Sequence, residues 1–186
     1  MAYLTTLSPQ HRHILATALA ADPLRKSNFT DMFPFPDQAA GWERLFQRND
    51  VMPFLCTADH DPAVFHWGHD IGETATGMYA WIGTYVLPAF RGKACGHMRQ
   101  ATFDTMVQYF KTQGIEQLFG AVRITNHAAR KYARKMGWKP IGLYRDWGIF
   151  GGELDDAEIF VLRLQDQALA WVVAEERALA SRERAL

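Results

Sequence analysis

The stretch that decides the fold reads Tyr85-Val86-Leu87-Pro88-Ala89-Phe90-Arg91-Gly92-Lys93-Ala94-Cys95-Gly96. The segment before it, 78–86, is apolar at both sets of alternate positions, which is typical of a central strand. Pro88 has no N–H to donate to a ladder, so the strand is predicted to end just before it.

The residues after this stretch predict an amphipathic helix over 96–112, because apolar side chains recur at positions i, i+3, i+4 and i+7. They are Phe103, Met106, Val107 and Phe110. The turn between strand and helix contains Arg91 and Lys93. Free backbone N–H groups and the positive end of the helix dipole meet at such a turn, so we expect it to bind a phosphate or pyrophosphate.

This turn resembles the acyl-CoA-binding segment of the GNAT acetyltransferase superfamily, Gln/Arg-x-x-Gly-x-Gly/Ala after a strand that ends in Val-x-Pro. Arg91 and Gly96 match, and Ala94 stands where the family usually has glycine. The resemblance implies that acetyl-CoA is bound by Val86, Arg91, Gly92, Lys93, Ala94, Cys95 and Gly96. The alternative is an ordinary strand–helix turn whose basic side chains are solvated.

A second resemblance lies in the predicted helix 126–136, which is similar to the family's Asn-x-x-Ala…Gly-Phe segment. Asn126, Ala129 and Gly137 are in register, and Trp138 replaces the usual aromatic residue. The resemblance implies that Asn126 contacts the pantetheine arm, and we assign Arg130 to the cofactor with it.

Many members of the family place a tyrosine seven residues after this asparagine, as the general acid for the leaving thiolate. That position is Ala133 here, and Tyr132 lies one residue earlier, about 100° away around the helix. Tyr132 is therefore either a displaced general acid or a core tyrosine on the face it shares with Ala129 and Met136.

The general base is not decided by the sequence. Several family members carry a glutamate on the strand before the phosphate turn, but 78–86 contains no carboxylate. The candidates are Glu73, Asp70 and His66, since a carboxylate or an imidazole can accept the proton of the amine. Direct attack by a neutral amine, with water as the proton carrier, is also open.

The remaining pattern predicts one domain over 1–186, with a core at about 7–164 and an additional C-terminal helix at about 166–180. Helices are expected at 8–22 and 37–49, and strands at 51–58, 63–68, 118–124, 138–144 and 157–164. Segments 69–76 and 145–156 are interpreted as connections. The fold class is α/β (α+β), GNAT-like: a mixed, mainly antiparallel sheet of about six to seven strands with helices on both faces.

An aromatic-rich loop, 24–36, joins the first two helices. In the resembling family this connection lines the acceptor pocket, so its aromatic side chains either form that pocket or fill the core. The acceptor itself is an unidentified amine.

The amino-acid composition bears on which classes of partner the protein could bind. Lysine plus arginine and aspartate plus glutamate number 20 each, so the net charge is zero and no nucleic-acid surface is indicated. No apolar run is long enough for a membrane helix, and Cys56 and Cys95 give no disulfide framework, which favours a cytoplasmic protein. No metal-binding motif is present. The charged C-terminal segment is either solvated or a contact of a homodimer.

These observations predict an acyl-CoA-dependent N-acetyltransferase that transfers an acetyl group from acetyl-CoA to a primary amine of a small molecule, protein or peptide. The alternative is a non-catalytic acyl-CoA sensor or interaction module on the same fold.

Overall fold

The computed structural model describes residues 2–6, 8–22, 38–48, 52–58, 61–91, 96–150 and 153–165. The helices within them are α1 (Pro9–Ala21), α2 (Ala39–Leu45), α3 (Gly96–Thr112) and α4 (His127–Lys135). The strands are β1 (Ala2–Thr6), β2 (Met52–Ala58), β3 (Asp61–Thr74), β4 (Gly77–Val86), β5 (Ile115–Arg123), β6 (Lys139–Phe150) and β7 (Glu153–Arg163).

The strands form one sheet in the order β1-β2-β3-β4-β5-β7-β6. Neighbouring strands are antiparallel except for β4 and β5, which are parallel. The mixed, mainly antiparallel α+β fold predicted from the sequence is confirmed. The element missing from the prediction is β1, which pairs with β2 from Ala2↔Ala58 to Thr6↔Phe54. Five residues are too short a run for an alternating pattern to be distinguished from a loop.

The prediction of connections at 69–76 and 145–156 is wrong, because most of each segment is strand. In the first of them β3 continues to Thr74 through an irregularity between His69 and Gly72, where Asp70 has a φ of 46°. An extra residue of this kind lets a strand with polar side chains stay in the ladder. Segment 145–156 is likewise mostly strand: β6 and β7 remain paired out to Phe150↔Glu153.

The start of α1 agrees with the sequence pattern. Ser8 is the N-cap, its hydroxyl oxygen accepts a hydrogen bond from the backbone N–H of His11 at 3.2 Å, and Pro9 opens the first turn. The second helix, α2, begins after Gln38. The predicted cap Asp37, the aromatic loop 24–36 and the C-terminal helix 166–180 lie outside the described residues.

The core consists of two clusters, one on each face of the sheet. The α3-side cluster is built on buried residues that include Val64, Ala80, Phe103, Phe110 and Leu118. The α1-side cluster is built on Leu15, Leu19, Trp42, Phe65, Trp67 and Tyr85, among others. Side chains therefore alternate between the two clusters along β4, which confirms the prediction that this strand is central and has no polar face.

Gly83 on β4 allows a close contact within the α1-side cluster. Trp67, directly opposite on β3, is 4% exposed, and its ring stacks on Phe65 at 5.1 Å between centroids. A Cβ atom at position 83 would lie 2.0 Å from the indole of Trp67. The tryptophan can therefore lie across β4 only because residue 83 has no side chain.

We expect Gly83→Ala to lower the free energy of unfolding by about 1–3 kcal/mol, because the buried indole must move. Denaturant unfolding measures the change. The matched control is Gly120→Ala on β5, where the new Cβ would meet Trp138 at an ordinary 3.6 Å. Equal effects of the two substitutions would contradict the steric explanation. In the double variant Gly83→Ala/Trp67→Leu, the two losses should be less than additive.

Candidate active site

The central feature of the site is a gap between β4 and β5. Their parallel pairing runs only from Met78↔Ile115 to Trp81↔Phe119. Beyond that point β4 stays paired with β3 as far as Val64↔Val86, and β5 stays paired with β7 as far as Arg123↔Ala157. The two strands therefore diverge. We call the gap between 82–86 and 120–123 the wedge.

The turn after β4 follows the predicted order of strand, turn and helix. The strand ends at Val86, a single 3-10 turn spans Pro88–Phe90, and α3 begins at Gly96. Gly92, Lys93, Ala94 and Cys95 lie outside the described residues. The turn thus connects one wall of the wedge to the N-terminus of a long helix, which is the end of a helix that favours anions.

Arg91 has a structural role that the sequence did not reveal. Its guanidinium forms an ion pair with Asp22, the C-cap of α1, whose side chain is 1% exposed. Its Nε atom donates to the carbonyl oxygen of Val86 at 3.1 Å, and the group stacks over the Tyr85 ring at 5.4 Å. Arg91 therefore connects the end of β4 to α1. Asp22 lies far from Arg91 in sequence, so no local motif links the two.

The hydroxyl of Tyr85 completes this cluster by donating to Asp22 Oδ2 at 2.9 Å. Burial and the hydrogen bond to Asp22 raise the pKa of Tyr85. The hydrogen bond to Asp22 likewise raises the pKa of Arg91. At neutral pH the hydroxyl of Tyr85 is therefore protonated and can donate, and the guanidinium of Arg91 is positively charged.

The other wall of the wedge ends in α4. Asn126 is the N-cap of this helix, and its side-chain oxygen accepts a hydrogen bond from the N–H of Ala129 at 3.1 Å. Arg130 donates from Nε to Glu158 at 2.8 Å and from Nη1 to the carbonyl of Ile124 at 3.1 Å. Both side chains assigned to the cofactor thus have structural partners. The helix cap at Asn126 agrees with the sequence pattern, whereas the contacts of Arg130 were not indicated by it.

Glu158 on β7 receives two arginines. Arg134, one turn after Arg130, donates to both carboxylate oxygens of Glu158 at 2.5 and 2.8 Å. Burial acts to raise the pKa of Glu158, but the hydrogen bonds from Arg130 and Arg134 outweigh it and lower the pKa. The carboxylate therefore stays ionised and holds α4 against β7.

Tyr132 is half-buried and packs against the α3-side cluster, while Ala133, at the position of the family's tyrosine, is 8% exposed. This packing supports the interpretation of Tyr132 as a core residue.

The three candidate bases lie apart. His66 is 2% exposed, its Nδ1 lies 2.9 Å from the hydroxyl oxygen of Thr84, and burial lowers its pKa to about 3. Such an imidazole stays neutral and is a weak base at neutral pH. Glu73 is exposed opposite Met78, eight residues or roughly 26 Å along β4 from Val86. Asp70 is exposed, and its Oδ2 atom lies 3.0 Å from Nδ1 of His69.

The structure therefore brings His66 near the wedge and leaves Glu73 away from Val86 and Arg91. Thr84, exposed on β4 opposite His66, is a wedge residue that the sequence did not single out. Its signal was a polar side chain in an otherwise apolar strand.

The family model for the acetyltransferase (GNAT) family matches residues 20–138 of the 186. The chain belongs to the GNAT acetyltransferase family. The predicted function class, an acetyltransferase, is confirmed by this membership. A comparison with curated protein sequences gives no match.

Several solved structures share the fold. The ribosomal-protein-S5-alanine acetyltransferase from Vibrio fischeri is 15% identical, with a TM-score of 0.71 over 89% of this chain and 94% of that one. RimJ of Mycobacterium smegmatis, solved with CoA-disulfide, is 15% identical, with a TM-score of 0.72 over 89% and 83%. The spermidine N-acetyltransferase from Vibrio cholerae, solved with CoA and spermine, is 12% identical, with a TM-score of 0.72 over 88% and 96%.

The described residues contain no group of three or more histidine, cysteine, aspartate or glutamate residues that could hold a metal ion. None of their helices is long and apolar enough to cross a membrane.

We expect Arg91→Ala to lower the free energy of unfolding by about 3 kcal/mol, because it leaves the buried carboxylate of Asp22 without its cation. Denaturant unfolding measures this loss. The matched control is Arg44→Ala, which removes an exposed arginine of α2 and should change stability by less than ~0.5 kcal/mol. The double variant Asp22→Ala/Arg91→Ala should lose less than the sum of the single variants, and strict additivity would contradict the ion pair.

Proposed function

We propose that this protein transfers an acetyl group from acetyl-CoA, bound along the wedge, to a primary amine. The observation that carries the proposal is the loss of pairing between β4 and β5 after Trp81↔Phe119, directly before a strand–turn–helix unit suited to phosphate. The solved neighbours bound to CoA or CoA-disulfide support the same cofactor.

The residues present fit a pantetheine arm. Backbone groups buried in a sheet need hydrogen-bond partners, and the facing edges of 82–86 and 120–123 no longer supply them to each other. A pantetheine arm carries amide groups that can take this place. We assign its phosphates to the turn 91–96 and the start of α3, and the arm to the backbone near Val86 with Asn126 on the opposite wall.

The reaction requires a neutral amine, a donor for the developing oxyanion and a leaving thiolate. The C–N bond forms as the thioester C–S bond breaks, the amine loses a proton to water, and the thiolate takes one up. A thiol with a pKa of about 8.5 leaves readily, so an acid assists but is not required. Backbone N–H groups of β4 are our proposed oxyanion donors, a role that needs no particular side chain.

Thr84 is our proposed side-chain contact to the arm. It follows Ile82 and precedes Val86 on the α3 side of β4, and the residue is exposed. The neutral imidazole of His66, opposite Thr84 on β3, holds that hydroxyl in place, with Nδ1 2.9 Å from the hydroxyl oxygen. We therefore assign His66 a positioning role and leave proton removal to water or to a group outside the described residues.

In this proposal Lys93 supplies the positive charge that binds the phosphates, because Arg91 forms an ion pair with Asp22. We expect excess acetyl-CoA to raise the thermal midpoint by a few degrees, since a ligand at 100 times its Kd adds about 2.7 kcal/mol. Lys93→Ala should weaken acetyl-CoA binding about tenfold through lost phosphate contacts and leave the midpoint of the free protein unchanged.

Arg91→Ala is the contrasting variant, because it should lower the midpoint of the free protein itself. An unchanged midpoint of the wild type in millimolar acetyl-CoA would remove the enzyme proposal. If acetyl-CoA binds but no free CoA is released with any amine tested, the non-catalytic sensor is favoured instead.

We expect Tyr132→Phe to keep kcat within about threefold of wild type, because the ring packs in the core and only its hydroxyl is lost. Steady-state release of free CoA measures kcat. A loss of ~100-fold or more, with an unchanged thermal midpoint, would restore Tyr132 as the general acid.

A further inference from the structure

Five aromatic side chains from three strands form a continuous patch, which we call the aromatic platform. They are Tyr79, Trp81, Phe119, Tyr144 and Trp147. The indoles of Trp81 and Trp147 stack at 5.9 Å with an interplanar angle of 24°. Phe119 touches Trp81 at 5.6 Å, and Tyr144 meets Trp147 edge-on at 5.3 Å.

The aromatic platform begins where the wedge opens. Trp81↔Phe119 is the last pair of the ladder between β4 and β5. Along β4, Trp81 shares a face with Gly83 and Tyr85, on the side of the α1-side cluster. Thr84 lies on the opposite face of β4, which is the side packed against α3. The rings therefore lie on the α1 side of the sheet, directly beside the closed end of the wedge.

None of the five side chains is fully buried, and Tyr144 is 54% exposed. A stack of partly exposed rings offers flat apolar faces, which stabilise a further ring by offset or edge-to-face contact. A tyrosine that only packed the sheet would bury its ring, whereas Tyr144 contacts Trp147 and remains largely in solvent.

Two carboxylates on β7, Asp155 and Asp156, lie near the β6 part of the aromatic platform. Asp155, opposite Gly148 on the neighbouring strand, is paired with Arg123 and also accepts from the hydroxyl of Thr125 at 3.1 Å. The hydrogen bond from Arg123 lowers the pKa of Asp155, which stays ionised within its pair. Asp156 accepts from the N–H of Asp146 at 2.9 Å. Both carboxylates are thus engaged by groups of the protein, and the comparison with spermidine below tests whether a polyamine is accepted.

We propose that the aromatic platform binds the ring of the amine acceptor, so that the protein prefers primary amines that carry an aromatic ring close to the amine. The ring rests on Trp81 and Trp147, and the amine points into the wedge. This inference rests on the proposed function, because it names the class of acceptor for that same site.

The test compares 2-phenylethylamine with 2-cyclohexylethylamine, which has the same carbon count but no aromatic face, and with spermidine. The kcat/KM for each amine is measured by the release of free CoA. The wild type should prefer the aromatic amine about five- to tenfold, as expected for one stacking contact. Trp147→Leu should bring the ratio close to one, and Trp147→Phe should restore part of it.

One control variant and one further test variant separate an effect on binding from an effect on folding. Tyr109→Leu removes a half-buried ring of α3, which packs against the α3-side cluster, and should leave the ratio unchanged. Tyr144→Leu removes the most exposed ring of the platform and should lower the ratio with no change in thermal midpoint. A ratio near one in the wild type, or equal ratios in Trp147→Leu and Tyr109→Leu, overturns the inference.

The inference and the proposed function fail in different ways. Turnover of spermidine or the cyclohexyl amine without aromatic preference keeps the function and overturns the platform. If no amine is turned over, calorimetric titration of 2-phenylethylamine into the protein, with and without saturating CoA, decides. Binding that Trp147→Leu weakens at least fivefold supports the platform, and no binding overturns it, whatever becomes of catalysis.

Discussion

The site depends on how hydrogen-bond partners are divided within the sheet. Up to Trp81↔Phe119, β4 and β5 satisfy each other, and after it each keeps only its outer neighbour. Backbone groups along these edges need other hydrogen-bond partners, which water or a ligand can supply. In our proposal the amide groups of the pantetheine arm take this place, and the gap is the part of the sheet that makes room for them.

Each wall of the wedge is held in place by its own charged cluster. On the β4 side, Asp22 binds Arg91 and Tyr85, and Arg91 also binds the carbonyl of Val86. On the β5 side, Glu158 holds Arg130 and Arg134 of α4. Breaking such a pair leaves a charge without its partner, which is costly when that charge is buried. Each wall of the wedge thus has its own set of charged contacts.

Much of this arrangement was predictable from local patterns. The central strand, the turn, the helix after it and Asn126 as a helix cap follow from spacing and from residues with fixed roles, such as Pro88 and Gly137. What was missed depends on distant partners. Asp22 and Arg91 meet only in the folded chain, and nothing near either residue announces the pair. The same holds for Thr84 with His66, where burial turns an apparent base into a neutral hydrogen-bonding group.

The polar strands show a second reason for failure. Segments 69–76 and 145–156 lack the apolar alternation that marks a strand, yet both are paired for most of their length. A partner strand supplies backbone hydrogen bonds whatever the side chains are, so composition understates pairing at the ends of a hairpin.

The two faces of the wedge differ in chemistry, and the difference follows from strand alternation. On β4, Thr84 faces α3, whereas Trp81 and Tyr85 face the α1 side. In direct transfer the acyl donor and the amine acceptor are bound at the same time and must meet at one carbon atom. On β4 the α3 face carries the single hydroxyl of Thr84, and the opposite face carries aromatic side chains. In our proposal this alternation gives the cofactor and the amine acceptor different sides of the same strand.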